Sequence, residues 1–346
     1  MSFDQLPAEL LLRIQYHLGS SFFREDLSRL HVSKRWLACA QEVIAKDLTF
    51  SVDSLKRFVE AISSQGERLS TNVHHRTKTV ELKFDRLVDW SKLRPPTGLV
   101  ETSSAENIYT RRASESYQDL NDNVAALASE LQLSRLRKLV LRPEPTFNGR
   151  WTTQILQGPC LANSSLEKLL NMRHLTELEF DTASTYAIRL RSKPADVHLC
   201  HAINALLPTL QRLRCRMDSI CEDIFKVPNV EVGTLPMKDL VVSLSLSNIA
   251  PNDYSYRFPA HCTHIYKVPF VANRTTIEEK LEGLAALTKG AANMKLLYHS
   301  FPGFDMWEFD ALTGLRTKLQ GEVAWDGEYL GPKKLKARMG SKSIGQ

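Results

Sequence analysis

Apolar residues recur along the chain at positions i, i+3 and i+5: Leu136/Leu139/Leu141, Leu175/Leu178/Phe180, Leu210/Leu213/Cys215 and Val241/Leu244/Leu246. Weaker copies stand at Thr79/Leu82/Phe84, Met294/Leu297/His299 and Gln320/Val323/Trp325. The last two positions of each triad, two residues apart, read as one face of a short strand. Before three of these triads the period is helical. Leu120, Val124, Leu127, Ala128 and Leu131 precede the strand expected at 137–141, and Leu199, Ile203, Leu206 and Leu210 precede the one at 211–215. Ile277, Leu281, Leu284 and Thr288 precede Met294, with Thr276-x-x-Glu279 as a capping box. A helix, a short turn and a strand in repetition build parallel β-structure connected by helices, either a solenoid or a doubly wound sheet. No glycine-rich strand-to-helix turn of the dinucleotide-binding kind occurs.

The strand pattern L-x-x-L-x-L is similar to that of leucine-rich repeats. The middle residues of successive triads lie 57, 39, 35, 31, 53 and 26 positions apart, too uneven for a regular array. The asparagine that leucine-rich repeats place at the turn after the strand is replaced here by Glu144, Ala183, Asp218, Ile249 and Pro302. The resemblance therefore implies an irregular leucine-rich-repeat-like α/β solenoid over residues 49–330. Two stretches interrupt it. Residues 94–118, opening on Arg94-Pro95-Pro96 and rich in Ser, Thr and Glu, read as an exposed insertion whose Ser103, Ser104 and Ser114 are solvated. Asn248 to Thr276 carries Tyr254, Tyr256, Phe258, Tyr266 and Phe270 and reads as a loop packed on the body, while Phe301 to Phe309 reads as an apolar cap over the last repeat.

The first fifty residues differ. Pro7 suits a first helical turn, and Leu10, Leu11, Ile14 and Leu18 share a helical stripe ended by Gly19-Ser20-Ser21. A second short helix is expected at 26–32, and Ser33 caps a third with Trp36, Ala40, Val43 and Ile44 at helical spacing. Three helices this short bury little, so part of their apolar surface is expected to meet a partner. The order Leu6-Pro7-x-Glu9-Leu10-x-x-x-Ile14-x-x-x-Leu18, then Asp26-Leu27-x-x-Leu30-x-Val32-Ser33-Lys34-Arg35-Trp36, closely resembles the F-box over residues 3–46, about an eighth of the chain. The connection Ser20-Ser21-Phe22-Phe23-Arg24 is longer and more aromatic than is common in that family.

The F-box resemblance implies a small N-terminal three-helix module, residues 1–48, that docks the Skp adaptor of a cullin-type SCF ubiquitin ligase. Leu6, Pro7, Leu10, Ile14, Leu18, Leu27, Leu30, Val32, Lys34 and Trp36 would then be the adaptor-binding residues, and the body would select a protein substrate. Two alternatives stand beside this: an interaction scaffold acting outside a ligase, and a zinc-dependent or hydrolytic enzyme.

Composition bears on the partners. At 346 residues and 43% hydrophobic, the chain is long and apolar enough for a large core. Its net charge of +6 points toward nucleic acid only until it is located: after Glu328 there is no acid, and Lys333, Lys334, Lys336, Arg338 and Lys342 supply +5. Residues 331–346 therefore read as a basic tail, and neither nucleic acid nor membrane is expected as a partner. The longest apolar run, Leu240 to Ile249, is broken by serines and an asparagine. Six cysteines without CxxC spacing, and Asp4 and Glu9 where a secretory signal is basic, lead to reduced thiols in cytoplasm or nucleus. His198-x-Cys200-His201 and His261-Cys262-x-His264 have metal-ligand spacing, but 63 positions separate the pairs and nothing brings them together, so neither metal nor cofactor is expected. No GxSxG or Walker motif occurs, so no catalytic centre is expected either.

Overall fold

The computed structural model describes residues 6–65, 67–84, 103–132, 134–143, 161–182, 199–217, 220–226, 231–244, 270–299 and 306–319. Among these the chain is mixed α/β, with eight α-helices and nine strands. It divides into two compact units, Met1–Leu161 with Asn171–Leu175, and Ala162–Leu170 with Thr176–Gln346.

The first unit opens with α1 (Ala8–Glu25), a 3-10 turn (Leu27–Leu30) and α2 (Lys34–Lys46). Ser33 caps α2 as expected, its hydroxyl accepting from Trp36 N at 3.1 Å. α1 is broken where the sequence places its end: Gly19 adopts φ 78°, ψ 165°, a region only glycine occupies without strain. The chain then resumes helix through Glu25, because Phe22 and Phe23 have a core to reach. Phe23 packs edge-on to Trp36 with centroids 6.0 Å apart, inside a cluster of Leu11, Phe23, Trp36, Ala40 and Val43. The second of the three expected helices is thus one 3-10 turn, capped by Asp26 Oδ1 accepting from Ser28 N.

α2 ends at Lys46 and strand β1 (Asp47–Phe50) begins at the next residue, a strand the triad pattern did not announce. The Arg24 guanidinium donates to Thr49 Oγ1 at 2.8 Å and to Ile44 O at 3.3 Å, fastening α1 to both. Then follow α3 (Val52–Gln65), α4 (Glu67–Arg76), β2 (Thr79–Phe84), α5 (Ser103–Gln132) and β3 (Lys138–Pro143). The strands β1, β2 and β3 are parallel, each paired with its neighbour in the chain. Val80, Leu82, Phe84, Leu139 and Leu141 fill the buried face, and Leu120, Val124, Leu127, Ala128 and Leu131 of α5 are equally buried at the expected spacing. α5 packs on α3 and α4. It reaches back to Ser103, so the second half of the expected insertion is helix; no glycine or proline interrupts the sequence between Leu99 and Arg142 to stop it.

The second unit contains α6 (Asn163–Leu170), β4 (Glu177–Asp181), α7 (Leu199–Asn204), β5 (Arg212–Met217), a 3-10 turn (Glu222–Phe225), β6 (Asp239–Leu244), α8 (Phe270–Leu287), β7 (Asn293–His299), β8 (Met306–Asp310) and β9 (Leu315–Lys318). Strands β4 to β7 are parallel and paired in chain order; β8 and β9 add to β7 as antiparallel strands. The triads locate β4 and β5 in the right register. They set β6 a few residues too late while keeping Leu244 on its inward face, and they give β7 the wrong face. β6 turns Leu240, Val242 and Leu244 to the face that holds Leu213 and Cys215, and β7 turns Met294, Leu296 and Tyr298 there. Leu297, expected inward, is on the opposite face of β7. α8 begins six residues before Thr276, so the expected capping box lies within the helix. Met306 to Phe309, expected as a cap, lies in strand β8. The triad at Gln320, the aromatic loop before Phe270 and the basic tail lie outside the described residues, as do His198, His261, Cys262 and His264.

Candidate functional site

α1 sorts its apolar residues onto two faces. Leu11 is 2% exposed and Gln15 is fully buried, one turn apart and both turned to α2. Leu10, Ile14 and Leu18, each one position before that row, stay open to solvent at 44%, 36% and 39%. Leu27, which opens the 3-10 turn, and Val32, two residues past its end, are 63% and 60% exposed. With Tyr16 they make six of the nine large exposed hydrophobic residues among those described, all within 25 positions of one another. The row Leu10, Ile14 and Leu18 shares one face of α1, an exposed apolar stripe on a module whose core holds five buried hydrophobic residues.

The other expected adaptor-binding residues divide. Pro7 and Lys34 are exposed, while Leu6 and Leu30 are half-buried against the helical core. Trp36 is in that core at 8% exposure, its indole N–H donating to Arg29 O at 2.7 Å. The Arg29 guanidinium in turn lies 4.2 Å over the Phe22 ring and donates to Phe22 O at 2.6 Å. Trp36 thus shapes the surface from beneath and holds the 3-10 turn that presents Leu27. The aromatic connection Phe22-Phe23 is the second half of the same support.

Two residues escape the sequence reading. Tyr16 is exposed on the far side of α1 from Ile14: its hydroxyl donates to Glu42 Oε1 at 3.3 Å and the Lys46 ammonium stands 4.6 Å over its ring. Partial burial, and then the Glu42 carboxylate, raise the Tyr16 hydroxyl above its ordinary pKa. Gln15 donates through Nε2 to Trp36 O at 3.1 Å, but its Oε1 is buried without a partner. A polar residue in a helical core row leaves no signal in apolar periodicity.

One cluster invites a catalytic reading. Ser70 Oγ donates to Glu130 Oε2 at 2.6 Å and lies 3.2 Å from His74 Nε2, which is itself 3.2 Å from the same carboxylate oxygen. In a nucleophilic triad the acid holds the imidazole nitrogen remote from the serine. Here it sits on the near nitrogen and on the serine itself, so the cluster ties α4 to α5 and does not prime a hydroxyl. Among the described residues no group of three His, Cys, Asp or Glu side chains could hold a metal ion, and no helix is long and apolar enough to cross a membrane.

No family model, curated protein or solved structure matches this chain.

Proposed function

We propose that this protein is the substrate-receptor subunit of an SCF-type cullin ubiquitin ligase. The observation that carries the reading is the exposed row Leu10, Ile14 and Leu18, with Leu27 and Val32, on short helices whose residue order resembles the F-box. The Skp adaptor would cover this row, and the remainder of the chain, read as an irregular leucine-rich-repeat-like solenoid, would hold a protein target. Pairing of each strand with its neighbour in the chain, within each unit, supports the solenoid reading. The chain would carry out no chemistry of its own. It would act by proximity, raising the effective concentration of target lysines near a charged conjugating enzyme held by the cullin. The direct passage from α2 into β1 and the Arg24 bonds favour this role, because a receptor must hold its target at a fixed place.

The test is affinity purification of the wild type beside Leu6→Ala/Pro7→Ala and Ile14→Asp. Recovery of Skp and cullin with the wild type, and their loss from both variants, is the expected outcome. No Skp with the wild type sinks the reading. Skp without cullin transfers the function to an interaction scaffold outside a ligase. Proximity labelling with and without proteasome inhibition identifies the target.

A further inference from the structure

The first unit gathers cations that the sequence disperses. Its three parallel strands begin side by side: Lys78 N donates to Lys46 O at 2.8 Å, and Arg137 N and Lys138 N donate to Lys78 O at 2.9 and 3.0 Å. Three strand beginnings therefore stand in a row about 10 Å across, at roughly 4.8 Å per strand. The segments leading into them are basic. His74 to Thr79 and Leu131 to Leu139 contain no acid, and His75, Arg76, Lys78, Arg135 and Arg137 are all exposed. Arg76, Lys78 and Arg135 have no carboxylate within 4.0 Å among the described residues. Two acids stand near this end: the Asp47 field acts on the Arg24 guanidinium, and Glu42, bonded to the Tyr16 hydroxyl, acts there together with Arg76 and Asp47.

Helix polarity explains part of the row, since His74, His75 and Arg76 occupy the last turn of α4, where cations are favoured. It does not explain Lys78, Arg135 and Arg137, which lie beyond the helices. Nor does the fold demand the charge. The corresponding positions of the second unit, linked by the same backbone bonds, are Gln211, Lys238 and Ala292, with a single cation. Exposed like charges on neighbouring strand beginnings repel one another, and an acidic ligand would relieve that repulsion.

We infer that the strand-beginning rim of the first unit binds an acidic polypeptide segment in extended form. The row matches about three residues of extended chain. Nucleic acid fits less well because the basic segments His74 to Thr79 and Leu131 to Leu139 contain no Phe, Tyr or Trp on which a base could stack. This inference is independent of the adaptor reading.

The full chain, titrated into a labelled peptide of twelve alternating Asp and Glu residues at low salt, gives the test by fluorescence anisotropy. Arg76→Glu/Lys78→Glu/Arg135→Glu is expected to weaken binding about tenfold or more, and Lys78→Arg to leave it unchanged. The basic tail is common to every variant, so only the rim's share changes. The melting temperature of the triple variant reports its folding; if it falls, Arg135→Gln alone carries the test, with about threefold weaker binding expected. Equal binding by wild type and charge variants overturns the proposal. Tighter binding of a twelve-residue oligothymidylate, lost in the variants, overturns the polypeptide occupant.

Discussion

Replacing Arg24 by Met keeps the aliphatic stem and removes the guanidinium that fastens the N-terminal helices to β1. The bond to Thr49 Oγ1 is short at 2.8 Å and charge-assisted, while the 3.3 Å bond to Ile44 O is long and contributes less. Ile44 O is one of the last carbonyls of α2, which the helix itself leaves without a partner. A hydrogen bond from a charged donor contributes roughly 1.5–3 kcal/mol, and burial already disfavours this cation, a cost the fields of Asp47 and Glu81 only partly offset. The lower part of the range applies, so Arg24→Met is expected to destabilise the first unit by about 2 kcal/mol. For a unit of this size that lowers the melting temperature by about 4–8 °C. Calorimetry measures the shift, and hydrogen exchange at the Thr49 and Phe50 amides reports whether β1 loosens with it. A melting temperature within about 1 °C of wild type, with unchanged exchange at those amides, refutes the fastening role.

Three further outcomes follow from the same helices. Gln15→Met removes a buried amide whose Oε1 has no partner and is expected to stabilise by about 1 kcal/mol in thermal or urea unfolding. Gly19→Ala forces a side chain into φ 78°, ψ 165°, and is expected to cost about 1–3 kcal/mol in the same assay, although the added Cβ would meet nothing nearer than Ser21 Oγ at 3.9 Å. Bonds from Ser28 depress the Asp26 carboxyl below its ordinary pKa. Its contribution is therefore present above the ordinary carboxylate value and lost as pH falls through the lower folded one. A carbon-detected NMR titration should place the Asp26 midpoint below that of a model peptide, and Asp26→Asn should flatten the acid limb of stability.

Where the sequence pattern succeeds, one face of each element is apolar and the other polar. β5 alternates Arg212, Arg214 and Arg216 with buried Leu213, Cys215 and Met217, and its register is unambiguous. β7 defeats the pattern because Leu297 is buried on the face opposite Met294 and Leu296, and in β6, where Val241 and Ser243 are buried opposite Leu244, the lost period two blurs where the strand begins. The stripe Leu10, Leu11, Ile14 and Leu18 is visible in the sequence, but its division into one buried and three exposed residues depends on where α2 crosses α1, which no local rule states. The basic rim illustrates the same limit. A charge count is a sum over the chain, and only the strand pairing brings Lys78 beside Arg137.

The central claim, that the exposed row of α1 docks an adaptor, is tested most directly by calorimetric titration of the purified chain with purified Skp adaptor. Leu10→Asp/Ile14→Asp should leave the chain folded with only a modestly lower melting temperature, because both residues are partly open to water at 44% and 36%. Two anchor residues lost from an interface centre should weaken binding by about thirtyfold or more. Saturable binding by the wild type, lost in the folded double variant, is the predicted result; no binding by the wild type, or equal affinity in both, contradicts the account.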